Sequence, residues 1–352
     1  MGNFDIKRYL IYQYEPQKCG TVVWFYYPCH LCNLWQNKSV RRKRTRISGN
    51  RVSAANKKII MEKAEIKGVL VPIGGAEDKG INYTKDKINR FDFFEEGILR
   101  RIVKLVEQHG DPKIELVTTA SSMPEEMEKT YRGAFGKLGC NNIGHLFITS
   151  REQVDTEDHL ARIRDCNCII FTGGDQLRLT SILGGTELMA NIKRRYIEEP
   201  IIIAGTSAGA MAMGGTMIYD GSAIRAHLKG EIKFSTGFEF ISNVIIDTHF
   251  EKRGRFNRLA QAVAVQPGIL GIGLAEDTGI IISEGHHLEV IGSGIVTMVN
   301  GKAITYSNLI DIPDRTPISV ENILVHILSH GEVYDLTTDQ TIRQKVKPND
   351  EV

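Results

Sequence analysis

The chain has 352 residues, 42% apolar and 24% charged, with a formal net charge of +2. That balance supplies enough apolar surface for a core and excludes disorder throughout. A membrane-spanning helix is excluded because no uncharged apolar run approaches about 18 residues, and the basic-then-apolar pattern of a secretory signal is absent.

The near-neutral total hides a split. Residues 1–58 carry 12 of the 44 basic residues and two of the 42 acids, which leaves 32 basic and 40 acidic residues for the rest. Both tryptophans, Trp24 and Trp35, fall in this first segment, and no helical or strand period crosses it. Its cationic run would suit an arm for nucleic acid or anionic surfaces, since clustered Lys and Arg release counterions from phosphates. Cys29-His30-Leu31-Cys32 would supply only part of a four-ligand zinc site. The expected reading is a disordered or artefactual basic extension over residues 1–60, one domain over residues 61–340 and a tail over residues 341–352. Nucleic acid and membrane are therefore not expected partners, and no metal or cofactor is expected. The other cysteines, Cys140, Cys166 and Cys168, suggest no disulfide framework, so a reducing cytoplasm is the expected compartment.

From residue 66 onward apolar strands alternate with helical periods. The order predicts a strand over residues 67–73, a helix over 91–109, a strand over 114–118 and a helix over 124–138. A strand over 145–148, a helix over 156–164, a strand over 168–172 and a helix over 176–190, with a break possible at Gly184-Gly185, follow. A strand over 201–204 and a helix from Ser207 complete the alternation, and residues 269–282 and 288–299 read as further strands, some antiparallel. Such alternation predicts an α/β fold, a mainly parallel sheet with helices on both faces. The strands lack polar alternation, as burial on both faces requires.

Gly205-Thr206-Ser207-Ala208-Gly209 joins a buried strand to a helix. It fits Gly-x-Ser-x-Gly, where small residues permit the sharp turn that lifts a serine hydroxyl out of a sheet. A plain tight turn or a phosphate loop is the competing reading, weakened by the absence of Gly-x-x-x-x-Gly-Lys-[Ser/Thr] and Gly-x-Gly-x-x-Gly runs after a strand. A serine nucleophile needs a base, and His249 stands at the end of the apolar run Val244-Ile245-Ile246-Asp247. Strand ends of a parallel sheet share one edge, so Ser207 and His249 are expected to meet there. Arg253, Arg255 and Arg258 follow closely and suit carboxylate recognition. Phe171-Thr172-Gly173-Gly174-Asp175-Gln176 ends another strand, where a backbone N–H could join that of Ala208 as an oxyanion hole.

Together these motifs, with Gly273-Leu274-Ala275-Glu276-Asp277-Thr278, resemble the cyanophycinases, within the serine peptidase family that also holds the α-aspartyl dipeptidases. The resemblance covers roughly residues 66–335. It implies a sandwich like the class I glutamine amidotransferases, a homodimer, and hydrolysis of cyanophycin, a poly-aspartate backbone bearing arginine on each side-chain carboxyl, to β-Asp-Arg dipeptides. Carried over, Ser207 is the nucleophile, His249 the base, Gly174 and Ala208 the oxyanion hole, and Gln176, Asp247, Arg253, Arg255 and Arg258 the substrate pocket. The family's third triad member, a glutamate between serine and histidine, aligns with Arg225, and Thr248 stands where glutamine is usual. Asp220 or Glu231 is the expected replacement acid; failing both, the chain would be a weakened, peptide-binding relative or would act on other aspartyl peptides.

Overall fold

A computed structural model describes residues 66–80 and 91–342. The chain divides after Ile60, and these residues all belong to the unit Met61–Val352. The readings of residues 1–60 as extension, basic arm or half zinc site lie outside the described residues.

The elements run β1 (Val69–Ile73), α1 (Ile98–Glu107), β2 (Ile114–Val117), α2 (Pro124–Lys137), β3 (Ile143–Leu146), α3 (Glu157–Asp165), β4 (Cys168–Phe171), α4 (Gln176–Leu183), α5 (Glu187–Glu198), β5 (Ile202–Thr206) and α6 (Ala208–Met211). They continue with β6 (Thr216–Asp220), β7 (Lys233–Thr236), β8 (Val244–Asp247), α7 (Phe256–Val265), β9 (Leu270–Leu274), β10 (Thr278–Ser283), β11 (His287–Gly292) and β12 (Val296–Asn300). Short strands follow: β13 (Tyr306–Ser307), β14 (Val320–Glu321), β15 (Leu324–Leu328), β16 (Val333–Asp335) and β17 (Gln340–Ile342), the last reaching into the expected tail.

A nine-stranded sheet has the order β17-β16-β11-β10-β1-β5-β4-β2-β3. Its β1, β5, β4, β2 and β3 are parallel neighbours, as the strand–helix alternation requires, and β10, β11, β16 and β17 extend it antiparallel. A second sheet has the order β15-β12-β9-β8. Successive residues of a strand face opposite sides, so Ile203 of β5 joins a core with α3 and α5, while Ile202 and Ala204 join another with α1 and α2. All three are 0% exposed. Burying each isoleucine side chain stabilises by about 1.5–3 kcal/mol.

Departures from the sequence pattern have local causes. The helix predicted from residue 91 starts at Ile98, because the Asp92 carbonyl accepts N–H groups from Glu95, Glu96 and Gly97 and turns the chain first. Gly184-Gly185 does divide the helix over 176–190, and the Thr186 side chain caps α5 by accepting from the Met189 N–H. The run over 269–282 is two strands: β9 lies in the four-stranded sheet and β10 in the nine-stranded one, so the chain changes sheets at Ala275-Glu276-Asp277.

Candidate active site

Ser207 follows β5 directly and holds φ of 51°, a left-handed conformation that costs a non-glycine residue about 1–3 kcal/mol. Close packing holds it there. A Cβ on Gly205 would lie 2.6 Å from the Gly209 carbonyl carbon, and one on Gly209 would lie 2.3 Å from the Phe171 carbonyl oxygen. The Ser207 N–H donates to the Ile73 carbonyl at 2.9 Å. Ala208 supplies the first N–H of α6, which a helix leaves without an internal acceptor. Gly174, at φ of 142°, sits where a Cβ would meet the Ala120 carbonyl oxygen at 2.0 Å, and a Cβ on its neighbour Gly173 would be 3.4 Å from Ser207 Cβ.

His249 arrives from the other sheet. It follows β8 by two residues, also at positive φ, 48°. The sequence pattern places Ser207 and His249 on one parallel edge; instead they meet across the seam between two sheets. Loop residues after β1 stitch that seam, since the His249 N–H donates to the Gly74 carbonyl at 2.9 Å. Ser207 Oγ lies 3.1 Å from His249 Nε2, and His249 Nδ1 lies 2.7 Å from Glu276 Oε1. Lys252 Nζ donates to Glu276 Oε2 at 2.8 Å. Partial burial pushes the Glu276 carboxyl up, but its hydrogen bonds from Lys252 and His249 outweigh this and hold it below the usual value.

The replacement acids expected from the sequence do not serve. Asp220 Oδ1 accepts from the Gly221 N–H at 2.8 Å. Glu231 pairs with Arg225 at 3.1 Å on an exposed loop. The carboxylate against His249 is Glu276, a residue in a quoted motif to which no role was given. Its signal was the break in a long apolar run, where β9 ends beside β8 with Asp247 level with Gly273.

Ser207 and His249 open on a cavity of about 430 Å³. Gln176, Arg253 and Arg255 line it. The Gln176 amide nitrogen is committed to the Ile218 and Tyr219 carbonyls at 3.0 and 3.2 Å. Two expected pocket residues lie beneath the cavity instead. Asp247 is 0% and Arg258 5% exposed. Asp247 Oδ1 accepts from Arg255 Nη1 at 2.8 Å and Arg258 Nη2 at 3.0 Å, and Arg258 Nε makes an ionic contact with Oδ2 at 2.9 Å. The cause is the start of α7 at Phe256, which sets Arg258 in the first helical turn, under the end of β8. Glu77, Lys79 and Tyr131, which carried no sequence signal, also line the cavity.

Among the described residues, no group of three or more His, Cys, Asp or Glu is placed to hold a metal ion, and no helix is long and apolar enough to cross a membrane.

The family model of peptidase family S51 matches residues 93–291. The chain is 34% identical over 278 residues to a cyanophycinase of Geminocystis herdmanii, covering 79% of this chain and 97% of that one. It is 32% identical over 285 residues to a cyanophycinase of Synechococcus elongatus, covering 80% of this chain and 83% of that one. Among solved structures it matches a peptidase from an acI-B1 Actinobacterium with a TM-score of 0.54 at 21% identity, over 78% of this chain and 98% of that one, a likeness of fold.

Proposed function

Because the chain belongs to peptidase family S51 and is thereby a serine-type peptidase, we propose that it is an exopeptidase that hydrolyses cyanophycin to β-Asp-Arg dipeptides. The observation that carries this reading is the run of contacts Ser207–His249–Glu276 on a cavity lined by cations. Ser207 Oγ attacks the scissile carbonyl carbon while His249 Nε2 takes its proton. Glu276 accepts from Nδ1–H, fixing the tautomer and stabilising the imidazolium that forms. The N–H groups of Gly174 and Ala208 receive the oxyanion. His249 then gives its proton to the leaving amine, and water repeats the sequence on the acyl-enzyme. Gln176, Arg253 and Arg255 contact substrate, and Asp247 with Arg258 holds Arg255 in place from below. The reading includes the cytoplasm, supported by the free Cys140, Cys166 and Cys168, and the homodimer that the family resemblance implies.

With Glu276 on His249, an arginine at position 225 gives no ground for a weakened enzyme. One observation favours a second reading, a peptidase of other aspartyl peptides: Thr248, in place of the usual glutamine, is fully buried at the cavity wall and offers substrate no side-chain amide. The test is to incubate the full chain with cyanophycin and look for dipeptide by mass spectrometry. Release at an ordinary rate, lost by about 10⁴-fold or more in Ser207→Ala, supports the proposal. Cleavage of α-aspartyl peptides alone moves the assignment to the second reading, and normal turnover by Ser207→Ala refutes the site.

A further inference from the structure

The wall of the cavity formed by the loop after β1 takes no part in the motifs that located the site. Gly75 packs on the His249 ring: at φ of 98°, a Cβ there would stand 2.6 Å from Nε2. The loop is fixed in that place. The Gly75 carbonyl accepts from the Asp277 N–H at 2.9 Å, and the Asp78 N–H donates to Asp277 Oδ1 at 3.0 Å. Two residues beyond Gly75, Glu77 accepts from the hydroxyls of Tyr131 and Thr206, the latter at 2.7 Å, and Thr206 is the residue before the nucleophile. Lys79 Nζ lies 3.1 Å from the same carboxylate, 3.3 Å from the Glu77 carbonyl and 5.0 Å above the Tyr131 ring.

This ammonium is held but not exhausted. It has three donors, of which one goes to the Glu77 carbonyl while the Glu77 carboxylate makes an ionic contact, and its side chain remains 19% exposed beside the cavity. Its place along the reaction path follows from the chemistry of Nε2. That atom protonates the leaving amine, so the departing part of the substrate passes the Nε2 edge of the ring, where Gly75 and its loop stand. In an exopeptidase that trims from the carboxyl end, the departing part carries a free terminal carboxylate. Arg255 gives Nη1 to Asp247 and the Thr248 carbonyl.

We infer that Lys79 is a specificity-determining residue, which binds the free terminal carboxylate of the departing dipeptide and so selects chain ends over internal bonds. The inference rests on the exopeptidase reading above, taken as trimming from the carboxyl end. Glu77 and Tyr131 pre-set the ammonium, so its side chain loses little freedom when substrate arrives.

A synthetic peptide of two β-Asp-Arg units, with the backbone terminal carboxylate free or amidated, tests it. The unaltered protein is expected to cleave the free acid about tenfold faster in kcat/KM than the amide, the size of one charge-assisted contact. In Lys79→Met the ratio collapses to about one through a loss on the free acid, while Lys79→Arg keeps most of it. A merely structural role for Lys79 would lower both peptides together and leave the ratio standing, which overturns the inference. A ratio that collapses in Arg253→Met and survives in Lys79→Met overturns it as well. If the unaltered protein cleaves neither peptide, the substrate reading has failed and the inference falls with it.

Discussion

Glu77 stands behind the nucleophile and Asp247 behind the base, with side-chain exposures of 1% and 0%. Glu77 is met by two hydroxyls and one ammonium, so its surroundings sum to neutral. Burial pushes its carboxyl up, but Lys79, Tyr131 and Thr206 outweigh this and hold it below the ordinary value. Asp247 is met by two guanidinium groups and the Thr248 N–H, which leaves one positive charge in excess under the cavity floor. A neutral cluster is suited to holding backbone in place, here Thr206 at the elbow. An over-compensated carboxylate sets a positive field that favours carboxylate groups near the base.

The comparison can be sharpened by substitution, beginning with the base. Glu276→Gln keeps the shape of the side chain but leaves His249 without an anion, and kcat should fall by roughly 10³–10⁴-fold with thermal stability little changed. A fall under tenfold would remove Glu276 from the site. Asp247→Ala should act on stability, because it leaves the buried Arg258 and the partly buried Arg255 without their counter-ion. Loss of a buried partner costs about 3–5 kcal/mol, to be read from denaturant midpoints. A smaller loss for Asp247→Ala than for Glu77→Gln would break the contrast.

Glu77→Gln should cost less at neutral pH, about 1–3 kcal/mol, the worth of hydrogen bonds to a charged group. The folded-state pKa of Glu77 is depressed. Its contribution is therefore fully present above the unfolded value of about 4.3 and is lost as pH falls through the lower folded value. The stability gap between the unaltered chain and Glu77→Gln should close on acidification through that window; a gap independent of pH would contradict it. The smallest effect expected is for Arg225→Glu. Arg225 pairs with Glu231 on an exposed loop, and exposed pairs are worth about 0–1 kcal/mol, so neither turnover nor melting temperature should move much. A rise in turnover would return position 225 to the catalytic site.

Ser207 and His249 were legible because a glycine-flanked serine after an apolar strand and a histidine at a strand end are local patterns. The parallel half of the large sheet was legible for the same reason. Glu276 was not assigned a role, since the break at Glu276-Asp277-Thr278 reads locally as a turn and does not show that the chain changes sheets there. Glu77 was invisible for a related reason: its hydroxyl partners stand 54 and 129 positions away. Asp247 and Arg258 were placed in the pocket by the resemblance, which carries no information on depth. Their burial is decided by where α7 starts.

The seam between the sheets bears on how the chain comes to be active. Ser207 and His249 are 42 positions apart and belong to strands that never pair with each other. A folding intermediate with only the nine-stranded sheet formed has a serine without its base, and one with only the four-stranded sheet has a base without its nucleophile. Hydrolytic competence thus requires both sheets to be formed and docked.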